Sequence, residues 1–150
     1  MIRFREALYG GFIATFAASV MMQMNNAIGK IPEVHVATTL SSIMGAPDRL
    51  TGWMTHFLLG VIIFPLVFSL LERRLPVRTY AIKGLLFGLL LWLGMMTVFM
   101  PAADAGMFGL ARGAVVPVAT LVLNLFYGLI LGIFYGWDLA PVRKAAIPST

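Results

Sequence analysis

Residues 57–64 read Phe57-Leu58-Leu59-Gly60-Val61-Ile62-Ile63-Phe64, a run that is apolar on every face of any regular structure it could adopt. A strand in a membrane barrel would alternate apolar and polar residues over about ten positions, and a surface helix would carry a polar stripe. This run does neither. Extended in both directions until a charge is met, it grows to residues 50–71, about the twenty needed to cross a ~30 Å hydrocarbon layer as a helix. Three further stretches of similar length follow the same rule, giving spans over 7–29, 50–71, 80–103 and 113–137, the third uncharged from Gly84 onward. The predicted fold is all-α, a bundle of four transmembrane helices in one integral membrane domain covering 1–150.

The composition agrees. Of 150 residues, 60% are hydrophobic and only 11% charged, with a mean hydropathy of +0.92, a balance too apolar for a water-soluble domain and for a disordered chain. There is no cysteine, which excludes disulfides, thiolate metal sites and cysteine nucleophiles together. Eight of the eleven basic residues, Arg3, Arg5, Arg73, Arg74, Arg78, Lys83, Arg143 and Lys144, fall on one side of the layout, against Lys30, Arg49 and Arg112 on the other. Both termini are therefore expected in the cytoplasm. Acids divide evenly between the sides, so the net charge of +5 reflects topology and anionic headgroups, and no nucleic-acid partner is expected. The first span follows Arg3 and Arg5 like a signal peptide, but it is long enough to cross the bilayer and is expected to remain uncleaved.

That span also has a counterpart. Gly10 followed by Met21-Met22 matches Gly84 followed by Met95-Met96, and His56-Phe-Leu-Leu-Gly60 matches Asn124-Leu-Phe-Tyr-Gly128, a pattern expected of one helical hairpin duplicated in parallel. Between the first two spans, Pro32 to Gly45 reads as a short amphipathic helix, with Val36, Leu40, Ile43 and Met44 opposite His35, Thr38 and Ser42. Asp104 to Arg112 is expected as an irregular outer loop, and Pro65 and Pro117 as kinks within spans two and four.

A four-residue step recurs in every span: Gly11, Thr15, Ser19 and Gln23; Gly52, His56 and Gly60; Gly84 and Gly88; Thr120, Asn124, Gly128, Gly132 and Gly136. In lipid no hydrophobic force draws helices together, so small residues that let backbones approach and polar groups that bond across must do it. Gly11, Gly60, Gly84, Gly88, Gly128, Gly132 and Gly136 are the expected packing positions. Gln23, His56 and Asn124, with Thr15, Ser19 and Thr120, are expected to face inward as a polar cluster, because an unpaired amide in hydrocarbon costs several kcal/mol.

Methionines gather in the outer half of the layout. Thioethers beside a histidine suit Cu(I) or an axial haem site, so His56 with Met21, Met22, Met54, Met95 and Met96 forms an alternative metal set, although methionine as flexible packing is the first expectation and no metal or cofactor is expected. No catalytic residue is expected. The spans carry no paired carboxylates, the zinc-protease histidine patterns are missing, and no serine sits in a Gly-x-Ser-x-Gly elbow.

Gly10-Gly11-Phe12-Ile13-Ala14-Thr15, Met21-Met22-x-Met24, His56 to Gly60, Lys83-Gly84-Leu85-Leu86-Phe87-Gly88 and Pro117 to Leu123 together resemble an uncharacterised family of small bacterial four-helix membrane proteins. The resemblance extends from the first span to Gly136, implies a multi-pass protein of the bacterial inner (plasma) membrane, and transfers no activity. It also implies a histidine in each half, where this chain has Asn124 in the second. The expected function is a non-catalytic subunit or scaffold that packs against other transmembrane helices in a homo-oligomer or larger complex. The alternatives are a small transporter or channel, and a haem, copper or quinone binder using His56 and the outer methionines.

Overall fold

A computed structural model describes residues 3–28, 40–41, 43–45 and 48–137 of the chain. Four helices dominate: α1 (Phe4–Ile28), α2 (Arg49–Leu71), α3 (Tyr80–Ala102) and α4 (Val115–Trp137). All four have the length and apolar composition to cross a membrane, and no strand occurs among the described residues. Their ends lie within a few residues of the expected spans. The amphipathic helix expected from Pro32 to Gly45 falls mostly outside the described residues, as do Lys30, Glu33, Asp138, Arg143 and Lys144.

Packing runs round the bundle in the order α2, α1, α4, α3. The α3–α4 seam is the tightest. A Cβ placed on Gly84 would lie 2.0 Å from the Gly128 carbonyl oxygen, and one on Gly88 would lie 2.3 Å from that of Asn124. Gly132 and Gly136 extend the seam against Tyr80, while Gly11 and Gly60 bring α1 against α2 beside Pro65 and Thr15. The backbones touch where the sequence places glycine, so dispersion contacts and interhelical hydrogen bonds take the place of a hydrophobic drive.

The fourth side, between α2 and α3, closes only at the basic end. There the rings of Phe68 and Phe87 lie 5.3 Å apart, Phe68 meets Tyr135 at 5.2 Å, and Lys83 Nζ reaches Glu72 Oε2 at 2.6 Å. Arg3 donates to the Tyr135 carbonyl at 2.9 Å, tying α1 to α4 at the same end. At the opposite end Met96, Met100 and Ala105 form a second buried cluster under Trp92, Met95 and Phe108. Trp92 Nε1 anchors it by donating to the Pro117 carbonyl at 2.9 Å. The segment expected as an irregular loop is wound instead, with a 3₁₀ stretch Met107–Arg112 broken by left-handed Phe108 and Gly109. It winds because Ala105 and Gly109 are buried against the cluster and their backbone groups must then be paired.

Two turns are widened to a π-helical register, Leu58–Ile63 in α2 and Met95–Phe99 in α3, each just before a proline, Pro65 and Pro101. A proline ring clashes with the carbonyl four residues earlier, and a wider turn relieves the clash. In α2 the Phe64 N–H donates five residues back, to Leu59. The next bond in that register would run from residue 65 to Gly60, but proline has no hydrogen to give. The Tyr127 hydroxyl of α4 supplies it, donating to the Gly60 carbonyl at 2.6 Å. A buried carbonyl orphaned by sequence in one helix is thus satisfied from another.

Asp48 starts α2 as its N-cap. Its carboxylate accepts from the Thr51 hydroxyl and, at 2.7 Å, from the Thr51 amide, and these bonds hold it below the usual carboxylate range. Bonds to the charged form add stability above the carboxyl's unfolded titration, and that stability is lost as pH falls through the lower, folded one. The hydrogen-exchange protection of the Thr51 amide, corrected for intrinsic rate, should therefore drop in acid below the ordinary carboxylate titration. A profile that stays flat into strong acid would contradict the cap.

Candidate functional site

Away from the basic end, α2 and α3 lie apart and leave a cavity of about 260 Å³. Its walls are largely apolar, among them Leu59 and Phe64 of α2, Leu91 and Met95 of α3, Met22 of α1 and Leu123 of α4. Gly94 on α3 marks the space most directly, since a Cβ there would meet nothing within 4 Å. Leu40 and Ile43 line it from the first connection, and Arg112 from the second.

Polar atoms enter the wall from three helices. Thr15 (α1), His56 (α2), and Thr120, Asn124 and Tyr127 (α4) all line the cavity. The Thr15 hydroxyl donates to the Gly11 carbonyl at 2.7 Å, that of Ser19 to the Thr15 carbonyl at 2.8 Å, and that of Thr120 to the Val116 carbonyl at 2.7 Å. Asn124 Nδ2 donates to the Thr120 carbonyl at 2.8 Å. Ser19 Oγ lies 3.0 Å from His56 Nε2. With the Ser19 hydroxyl hydrogen on the Thr15 carbonyl, the hydrogen of this pair comes from the imidazole in its Nε2–H tautomer. His56 then donates through Nε2, and Nδ1 is left as an acceptor. In that tautomer the pair, although spaced like a nucleophile and base, does not activate the serine.

Five of the six residues expected in a polar cluster, Thr15, Ser19, His56, Thr120 and Asn124, thus lie at or just behind one cavity. Gln23 does not: it is exposed on α1. A four-residue step advances 400°, so each repeat drifts about 40° round the helix, and from Gly11 to Gln23 the drift reaches about 120°. Eleven residues come back to nearly the same face, and Met22, eleven after Gly11, is the side chain buried at that level. The alternative metal set also divides. His56, Met22 and Met95 line the cavity and Met96 is buried behind it, 3.9 Å from the Thr120 hydroxyl. Met21 and Met54 face outward, Met54 being 65% exposed, because Met21 lies one residue, about 100° of helix, from inward Met22 and Met54 two residues, about 200°, from inward Gly52. Among the described residues no three His, Cys, Asp or Glu side chains gather at one point.

Sequence reasoning missed Tyr127, which reads as one more large side chain in an apolar helix. A signal existed in Pro65, whose missing N–H leaves a carbonyl about one turn earlier without its partner and so calls for a donor on a neighbouring helix.

Four apolar helices enclosing polar groups within the thickness of a bilayer define a multi-pass helical membrane protein. The chain belongs to a family of unknown function, DUF6789, whose model matches residues 1–143. Neither a search of curated proteins nor one of solved structures finds a match.

Proposed function

We propose that this protein is a non-catalytic binding protein of the bacterial inner membrane that holds a lipid-soluble small molecule in the cavity between α2 and α3, with its basic end toward the cytoplasm. The observation that carries this reading is an apolar void on the one unpacked side of the bundle, with side-chain lone pairs inside it. A void with no packing partner forfeits dispersion energy, and interiors seldom keep one of this size empty. A molecule dissolved in the bilayer reaches this one from the side, without entering water.

A helix-packing scaffold or complex subunit would need small-residue faces left free for a partner helix. The seams of Gly11, Gly60, Gly84, Gly88, Gly128, Gly132 and Gly136 are spent on contacts within the chain, so they lend that reading no support. Native mass spectrometry of protein released directly from its membranes tests both readings at once. A small-molecule adduct on the single chain is the expected result. Bare chain, with no adduct under the gentlest release that preserves lipid binding, would overturn the proposal, and added subunit masses would favour the scaffold or a homo-oligomer.

A further inference from the structure

Counting hydrogens round the cavity narrows the ligand. The hydroxyls of Thr15, Ser19, Thr120 and Tyr127 each donate to a backbone carbonyl, and with the Ser19 hydrogen so used His56 takes the Nε2–H tautomer that donates to Ser19. Asn124 spends one of its two amide hydrogens on the Thr120 carbonyl. What remains among these groups is mostly lone pairs: Nδ1 of His56, Oδ1 of Asn124 and the hydroxyl oxygens, with a single spare donor in the second Asn124 hydrogen.

Resting on the cavity reading above, we propose that the site recognises a neutral amphiphile whose polar end is a hydroxyl, donating its hydrogen to His56 Nδ1 or Asn124 Oδ1 and accepting from the spare Asn124 amide hydrogen. A ketone, quinone or ether offers acceptors alone and meets that one donor at most. Burying a polar group unpaired costs free energy, so acceptors facing acceptors discriminate strongly against such heads. A charged head is disfavoured because no Asp, Glu, Lys or Arg side chain of α1–α4 lines the cavity, and Arg112 belongs to the outer connection at its rim. At about 260 Å³ the space is smaller than a pocket that encloses a drug-sized ligand, roughly 300–1,000 Å³, so it takes the head and the start of a chain. The rest of a longer tail leaves between α2 and α3 into the lipid.

The test uses the full chain in detergent micelles titrated with three molecules of matched length: decan-1-ol, decan-2-one and decyl methyl ether, with binding read by native mass spectrometry and calorimetry. The alcohol should bind at least about 10-fold more tightly than the other two, the penalty of one unmet buried hydrogen bond. His56→Phe should narrow the alcohol's advantage over the ether, and Asn124→Leu, which also removes the one donor an ether can meet, should weaken the binding of both. Equal affinity of the native chain for all three would overturn the hydroxyl inference and leave the cavity reading standing. Failure of all three to bind would overturn both. The comparison among ligands on the native chain needs no variant to fold.

Discussion

Replacing Gly84 with alanine should destabilise the bundle by about 3 kcal/mol, the upper end of the usual cost of overpacking, because the added methyl has nowhere to go. It would lie 2.0 Å from the Gly128 carbonyl oxygen and 2.9 Å from the Gly132 Cα, all backbone atoms of a helix that cannot swing aside as a side chain can. Relief requires α3 and α4 to separate, and this is the tightest seam in the molecule. Since lipid tails are as apolar as the separated faces, nothing restores the lost dispersion contacts. Gly128→Ala attacks the same contact from the other side, at 2.1 Å from the Gly84 carbonyl oxygen. Once either methyl has pushed the helices apart, the second costs little, so the double variant should be markedly less destabilised than the sum of the singles. Denaturant titration in micelles, followed by circular dichroism and tryptophan fluorescence, reads both effects. A Gly84→Ala midpoint indistinguishable from the native one would show that the helices are not this close.

The positions of α1 to α4 were legible because a bilayer demands that every backbone group be satisfied within the segment, which leaves long uncharged runs few alternatives. Gly84 and Gly128 were legible for a related reason: spaced along a helix at four residues, small side chains make a groove whose use is nearly forced. Gln23 shows where this pattern fails. A four-residue ridge follows one face only over two or three turns, and by the third step the inward position has passed to Met22. Cavity and π turns were harder still. The turns depend on how each helix accommodates its proline, by kinking or by widening, and Pro65 and Pro101 both take the second course. The cavity depends on the order of helices round the bundle. Gly94 looks in sequence like any other helical glycine, and only the placement of α3 beside α2, the one pair of neighbours round the bundle that does not close along its length, leaves it facing space.

That placement makes Gly94→Leu the most discriminating variant of the binding site, and its two expected effects have opposite signs. Binding of the alcohol should fall by 100-fold or more, since four added carbons project into a cavity of about 260 Å³ from the wall between Leu91 and Met95. Folding should not suffer. Gly94 has ordinary helical dihedrals, φ −60° and ψ −42°, and its Cβ would meet nothing within 4 Å. Leucine gains nearly 1 kcal/mol of helix propensity over glycine, and filling a void adds dispersion contacts. Native-like or raised unfolding resistance together with lost binding is therefore the expected pair of results, and Gly94→Ala, one carbon instead of four, should fall between native chain and Gly94→Leu in affinity. Gly84→Ala is the opposing case on the same helix: a smaller side chain, at a site where the neighbour is backbone, with the larger cost in stability. If Gly94→Leu bound decan-1-ol as the native chain does, the ligand would have to sit elsewhere. If it unfolded as readily as Gly84→Ala, α2 and α3 would have to be closed along their whole length, and there would be no cavity to fill.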